Sequence, residues 1–285
     1  MQSLSTLYRD ENFRGLVCEQ LAEALSHTLS SITPDPAAFQ SMMRRTNTVI
    51  SGSTALHHVL RQAATWNPTD VDLLVPSHRF NDVLQFVLAL PGAVTTKEYS
   101  QSYSVKTGYL RIVTVQTSMV KFEIIQSVAR SPFHPMLYYY GTHIMNAITA
   151  DFSICTYPSL TFDNRSYLAK LDWRSDDATV HAVATSAQRG FNFMLQHEDP
   201  IGYPQLCHQT ITCPHRNRSI GDKYCLVVPN TQAPVATTWD LMDERASTTW
   251  RLPGQPCGNP SCYIDGELVV RTTTWGEIRR ITNII

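Results

Sequence analysis

Apolar residues recur at intervals of three and four from Phe13 through Leu16, Val17, Leu21, Ala24, Leu25 and Leu29 to Ile32, the spacing of one face of an α-helix. Thr33-Pro34-Asp35-Pro36 breaks the pattern, and Pro36, whose fixed φ suits a first helical turn, opens a second helix that runs to about Arg45. The period then shortens. Thr48-Val49-Ile50 is a β-branched run, Ser53 to Ala64 reads as a helix capped by Ser53, and Val71 to Val75 is a buried strand bounded by Pro68 and Pro76. Phe80, Val83, Leu84, Val87 and Leu88 predict a helix over Arg79 to Leu90, stopped by Pro91-Gly92. Tyr109 to Val115 and Val120 to Ile125 are β-rich and separated by Gln116 to Met119, which predicts two antiparallel strands.

Beyond Arg130 the pattern predicts a helix over Ile144 to Ile148, extended chain over Ser159 to Phe162 and a helix over Ala184 to Leu195. From about Gly202, Pro, Thr, Cys and Asn dominate and no long periodic run survives. The fold class is α/β (α+β), with a mixed sheet flanked by helices. Four segments are expected: an N-terminal helical segment over 1–45, a core over 46–127, a core extension of helix and strand over 128–200, and a Cys-rich, loop-rich appendage over 201–285.

A chain of 285 residues that is 43% hydrophobic can bury a sizeable core. Charged residues are 16%, and 23 basic against 24 acidic side chains leave a net charge of -1, so no extended surface for nucleic acid is evident. Arg9, Asp10 and Glu11 interrupt the start of the chain, which lacks the basic and then apolar pattern of a cleaved signal. No run approaches the ~20 apolar residues of a membrane span. The expectation is a soluble protein, cytoplasmic or nuclear rather than secreted, with no membrane partner.

The chemistry concentrates around Val49-Ile50-Ser51-Gly52-Ser53-Thr54-Ala55-Leu56. A glycine and a hydroxyl residue between a strand and a helix start make an anion site: Gly52 lets a phosphate approach the backbone, Ser53 can donate its hydroxyl, and the free amides of the helix start face the same point. An ordinary helix cap has the same wording. In Asp70-Val71-Asp72, residues two apart on a strand put both carboxylates on one face, where two like charges call for a cation; hard oxygen ligands favour Mg²⁺ or Mn²⁺. A solvated strand end is the alternative. Glu123, in Val120-Lys121-Phe122-Glu123-Ile124-Ile125, alternates with the apolar residues and can add a third carboxylate from a neighbouring strand, or pair with Lys121 on the surface.

Ile50-Ser51-Gly52-Ser53, Asp70-Val71-Asp72 and Glu123 together resemble the DNA polymerase β-like nucleotidyltransferase superfamily: a hydrophobic-Gly-Gly/Ser turn, an Asp-x-Asp/Glu strand and a later strand acid. The resemblance covers roughly Thr46 to Ser127. The Gly-Ser-Thr-Ala-Leu wording looks most like fungal nucleotidyltransferase-like proteins and abortive-infection nucleotidyltransferase toxins, the fungal proteins matching more loosely through Met145-Asn146, Tyr157-Pro158 and Gln188-Arg189-Gly190-Phe191. The linker from Thr54 to Thr69 is longer than in many members. The resemblance implies Asp70, Asp72 and Glu123 as catalytic, metal-binding carboxylates, Gly52 and Ser53 as the phosphate-binding turn, Mg²⁺ or Mn²⁺ as cofactor, and ATP or another nucleoside triphosphate as donor. The acceptor, which can be RNA, a protein side chain or a small molecule, stays open. A catalytically inactive binding module of the same fold, with a structural Cys-rich appendage, is the alternative.

Five of the seven cysteines fall in the last third. Cys213-x-His215, Cys225 and Cys257-x4-Cys262 offer soft ligands for a structural zinc in a region with little core of its own, and buried free thiols are the competing reading. Three further features suggest no role: His57 and His58 as packed helix residues, Arg44-Arg45 as a solvated helix end, and Tyr138-Tyr139-Tyr140 as core, since three consecutive aromatics cannot share one face.

Overall fold

The computed structural model describes residues 8, 10–100, 107–169, 176–194, 213, 216–230, 248–252 and 269–272. Helix α1 (Glu11–Ile32) starts after Asp10, whose carboxylate accepts from the Asn12 amide, and buries Val17, Leu21, Leu25, Leu29 and Ile32. Phe13 and Leu16 remain exposed. Val17 and Leu21 rest on the sheet edge at Cys155, Leu226 and Val228, and Phe13 and Leu16 lie N-terminal to that contact. Helix α2 (Pro36–Thr46) is capped by Asp35, which accepts from the Ala38 amide at 2.9 Å, and ends on Asn47 in the left-handed region.

Next come strand β1 (Val49–Ser51), helix α3 (Gly52–Leu60), strand β2 (Asp70–Val75) and helix α4 (Phe80–Leu88). Strands β3 (Val94–Ser100), β4 (Tyr109–Gln116) and β5 (Lys121–Ser127) form an antiparallel meander. They are followed by β6 (Asn146–Ile148), β7 (Phe152–Cys155), helix α5 (Pro158–Thr161), β8 (Arg165–Tyr167), helix α6 (Asp177–Gln188) and β9 (Asn192–Met194). The remainder contributes β10 (Arg218–Ser219), β11 (Leu226–Pro229), β12 (Thr248–Arg251) and β13 (Val269–Thr272).

Eight strands join in the order β11-β7-β6-β1-β2-β5-β4-β3. Neighbours are antiparallel except β2 and β5, which run parallel, so the sheet is mixed as expected. One face carries Ile50, Val71, Leu73, Val75, Phe122 and Ile124 under α1, α2 and α4. The other carries Val49, Leu74 and Ile125 against Phe133, Leu137, Tyr157 and Trp250. Period-two alternation thus sends Asp70, Asp72 and Glu123 to the face away from the helices.

Several elements differ from expectation. Residues 142–144 form a 3-10 turn and 146–148 a strand, not a helix, since the apolar run there is buried on both faces of the sheet and carries no helical period. Pro158–Thr161 is helical rather than extended, with Pro158 in the first turn. The helix expected over Ala184 to Leu195 lies at Asp177–Gln188, capped by Asp176, and Gly190 at φ 94 separates it from β9. Strand β3 was hidden because all seven residues are exposed and show no alternation. Residues 226–229, within the segment expected as an appendage, close one edge of the main sheet against β7. Trp250, Leu252 and Ile220 enter the same core as Leu74.

If β11 is part of the main core, Leu226→Ala should destabilise the whole protein by about 2–5 kcal/mol, as for other buried leucines. A single unfolding transition with a lowered midpoint is expected in urea. An unchanged main transition, with loss confined to a separate early one, would contradict that placement.

Candidate active site

Strand β1 enters α3 without a loop, and Gly52 makes this possible. Its φ of 61° lies in the left-handed region, and a Cβ there would sit 1.8 Å from Asp72 Oδ2. A side chain at this position therefore meets both backbone strain and a direct clash. Ser53 is not the cap. The helix starts at Gly52, and Ser51 is the N-cap residue, its hydroxyl donating instead to Asn146 O at 2.7 Å. Ser53 sits half-buried in the first turn, and Thr54 Oγ1 donates to Asp70 O at 2.8 Å, tying that turn to the start of β2.

The parallel pairing of β2 and β5 places Asp70 beside Lys121 and Asp72 beside Glu123, and Ser51 faces Asp72 across β1. Neighbouring strands lie about 4.8 Å apart, so three acids from two strands share one small patch next to the Gly52 turn. Gly52, Asp70, Asp72 and Glu123 are thus brought together, with Ser53 one residue further along the helix. The Lys121 ammonium lies 2.9 Å from Asp70 and 3.5 Å from Glu123. It supplies the counter-charge that the acids require, and its own pKa is raised, first by the hydrogen bond to Asp70.

Asp72 is in no ion pair among the described residues, although the Lys121 charge acts on it as well. Its carboxyl is enclosed against Gly52, and burial, then the negative charges of Asp70 and Glu123, push its pKa well above the ordinary carboxylate value. Burial and like charge thus favour the neutral form of Asp72 over the charged one. An all-carboxylate oxygen donor set suits Mg²⁺ or Mn²⁺. Among the described residues, no group of three or more His, Cys, Asp or Glu side chains is placed so that it could hold a metal ion; here the Lys121 ammonium contacts both Asp70 and Glu123.

Two residues at this site escaped the sequence reading. Tyr139 follows a 3-10 turn at Pro135–Tyr138, and its hydroxyl is buried beside Ser51 in the field of Asp72. Asn146, on β6, donates to His143 O and has a buried Oδ1 without a partner among the described residues. The sequence offers Asn146 only within Met145-Asn146 and Tyr139 only as core, and neither is assigned a place at the site by its local pattern.

Other candidates are placed elsewhere. Arg44 and Arg45 are exposed in the last turn of α2, as expected of a solvated helix end, and the Arg44 guanidinium also pairs with Asp151 at 2.6 Å through a two-nitrogen contact. His58 is buried, hydrogen-bonded to Ser153 Oγ at 2.7 Å, with its pKa pushed down to about 3 by burial, and His57 packs on Trp66. Cys213 and Cys225 are free thiols; burial pushes the Cys225 thiol up to about 11 against the opposing field of Arg218. His215, Cys257 and Cys262 of the expected zinc set lie outside the described residues.

No known protein family and no curated protein matches this chain. Among solved structures, a tRNA-processing enzyme in apo form I is similar over 65% of this chain and 44% of that chain, at 12% identity and a TM-score of 0.37. The chain thus spans less than half the length of that distant structural neighbour, which is an enzyme, and a likeness this loose carries nothing about chemistry.

The raised pKa of Asp72 sets a sign. Stability from this group is full below the unfolded value near 3.8 and is lost as pH rises through the higher folded value. Asp72→Asn, which mimics the neutral acid, should therefore raise the melting temperature of the EDTA-treated protein at neutral pH. At about 2–4 °C per kcal/mol, the gain should be a few degrees, shrinking as the pH falls toward that lower value. A mutant that melts lower at neutral pH would contradict the buried, repelled carboxylate.

Lys121→Met should act in the opposite direction, lowering the metal-free melting temperature by removing the counter-charge of Asp70 and Glu123, with about 0.2–1 kcal/mol for each partly exposed pair. Added Mg²⁺ should close that deficit in a thermal-shift assay. A deficit indifferent to divalent cations would count against a cation site there.

Proposed function

We propose that this chain is a metal-dependent nucleotidyltransferase of the DNA polymerase β-like type, moving a nucleoside monophosphate from ATP or another nucleoside triphosphate to an acceptor hydroxyl. The observation that carries the reading is the juxtaposition of Asp70, Asp72 and Glu123 on one sheet face beside the Gly52 turn. The three carboxylates would hold Mg²⁺ or Mn²⁺ once the Lys121 ammonium withdraws. Bound there, such ions stabilise the charge on the attacking and leaving oxygens.

The chain's own residues would do the rest. The helix amides at the start of α3 and the Ser53 hydroxyl can receive the terminal phosphates, while Gly52 makes room for the Asp72 carboxyl beside them. Lys121, freed from Asp70, has the reach to follow them. In the reaction the acceptor oxygen bonds to the α-phosphorus, the bond from that phosphorus to the β-phosphate bridge breaks, and pyrophosphate leaves while the acceptor proton passes to solvent. RNA, a protein side chain and a small molecule remain open as acceptors. A location in the cytoplasm or nucleus and a structural zinc on Cys213, His215, Cys225, Cys257 and Cys262 belong to the same proposal. Among the described residues, no helix is long and apolar enough to cross a membrane.

One observation favours a second reading, a silent binding module of the same fold: the Lys121 ammonium already contacts two of the three acids, where a cation would otherwise sit. Incubation with each labelled nucleoside triphosphate, Mg²⁺ and pools of RNA, protein and small-molecule acceptors separates the two. Label should pass to an acceptor, and Asp70→Asn, Asp72→Asn or Glu123→Gln should each cut the rate at least about a thousandfold, since metal-held charge supplies several kcal/mol of transition-state stabilisation. Nucleotide binding without transfer under any condition would select the silent module; full activity in all three variants would remove the site altogether.

A further inference from the structure

Lys121 opens β5, and the parallel register sets it beside Asp70 on β2, while Glu123, two residues on, shares its face of the sheet. Its ammonium lies 2.9 Å from Asp70 Oδ2 and 3.5 Å from Glu123 Oε1, so one side chain ties together acids of two strands. The next residue, Phe122, is buried on the opposite face with Val71 and Ile124 and pins the strand from which Lys121 projects. What can move is therefore the four-carbon stem of the lysine and not its backbone.

The three groups are open to solvent. Side-chain exposure is 36% for Lys121, 27% for Asp70 and 33% for Glu123, so the ammonium can leave by rotation of its own stem with no change in the sheet. While it stays, a divalent ion is opposed. At a Mg²⁺ to oxygen distance of about 2.1 Å, an ion on Asp70 Oδ2 would stand no more than about 5 Å from an ammonium that lies 2.9 Å from the same oxygen. The acids suit Mg²⁺ by their chemistry, yet no group of three such side chains among the described residues is placed to hold an ion. Lys121, in contact with two of the three, accounts for that disagreement with a single side chain.

We infer that the Lys121 ammonium and a divalent cation are alternative occupants of Asp70 and Glu123, so that metal enters this site by displacing a lysine bound there. The inference rests on the nucleotidyltransferase reading and adds to it a device that regulates loading, because the metal must compete for its own ligands. The exchange is driven by the double charge of the ion and by its closer approach to the oxygens. The contacts that Lys121 gives up raise the apparent Kd for metal.

The test uses the whole chain after treatment with EDTA and dialysis. Dissociation constants for Mg²⁺ and Mn²⁺ are measured by calorimetry for wild type, Lys121→Met and Lys121→Gln, and ATP binding is measured at saturating Mg²⁺. In wild type, the rate of reductive methylation of Lys121 is followed by mass spectrometry with and without saturating Mg²⁺, against exposed Lys97 on β3 as the reference. The expected results are metal binding about twofold to thirtyfold tighter in both variants, the range for removal of two partly exposed ion pairs, and faster methylation of Lys121, but not of Lys97, once Mg²⁺ is bound. Unchanged metal affinity in the folded variants overturns the inference and leaves the nucleotidyltransferase reading intact. So does methylation of Lys121 that is indifferent to Mg²⁺, since the ammonium would then keep its place and act only through its charge; this arm requires no variant. Failure of all three proteins to bind either cation, alone or with ATP, overturns the nucleotidyltransferase reading, and the inference with it.

Discussion

The parallel, in-register pairing of β2 with β5 is the constraint on which the remainder depends. In a sheet whose other neighbouring strands are antiparallel, it requires the chain to leave β2, cross through α4 and the β3-β4 hairpin, and return alongside. That crossover brings Asp72 next to Glu123 and Asp70 next to Lys121. It also fixes which residues face the helices, because Phe122 and Ile124 must then join Val71, Leu73 and Val75 under α2 and α4. A one-residue slip would bury the acids in that layer and expose the aromatic and aliphatic side chains. The apolar face thus enforces the register that holds three like charges together, and the core bears their repulsion. Lys121 and the raised pKa of Asp72 are the two internal responses to it.

Much of this was legible in the sequence wherever one face of an element is buried and the other is not. The alternation around Asp70 and Glu123, the three-and-four spacing from Val17 to Ile32, and the proline and glycine stops after Leu90 each record a difference between core and solvent. Where that difference vanishes, the reading fails. Strand β3 is exposed on both faces, and β6 and β7 are buried on both, so neither carries a period. Of the site, the turn and the acids were visible because they are local. Lys121 was visible as a neighbour of Glu123 but not as a bridge to Asp70, and Tyr139 was invisible because its position comes from packing between two cores.

Strands β10 and β11 join the main body in different ways. Strand β11 extends the main sheet, while the turn after β10 anchors through Arg218. That side chain is 1% exposed, pairs with Asp222 at 2.6 Å, donates to Thr156 O, and lies over the rings of Tyr157 and Trp250. Trp250 in turn donates to the Tyr157 hydroxyl at 2.7 Å. These hydrogen bonds and aromatic contacts offset much of the loss of water, although Arg218 Nη1 has no hydrogen-bond partner among the described residues. The composition from residue 202 onward, rich in turn formers, concealed these anchors because each is a single side chain.

The three consecutive tyrosines carry a consequence for how this protein can vary. Each ring is matched to a separate environment: bare backbone at Gly108, the core beside Ser51, and the serine on α6. Replacing one of them disturbs one environment. Inserting or deleting a residue just before Tyr138 shifts the whole run against its environments, and although two of them receive another tyrosine, the one at the end of the run is left without a ring. The length of this segment is therefore held more tightly than its chemistry, although its residues lie outside regular helices and strands where length changes are ordinarily absorbed.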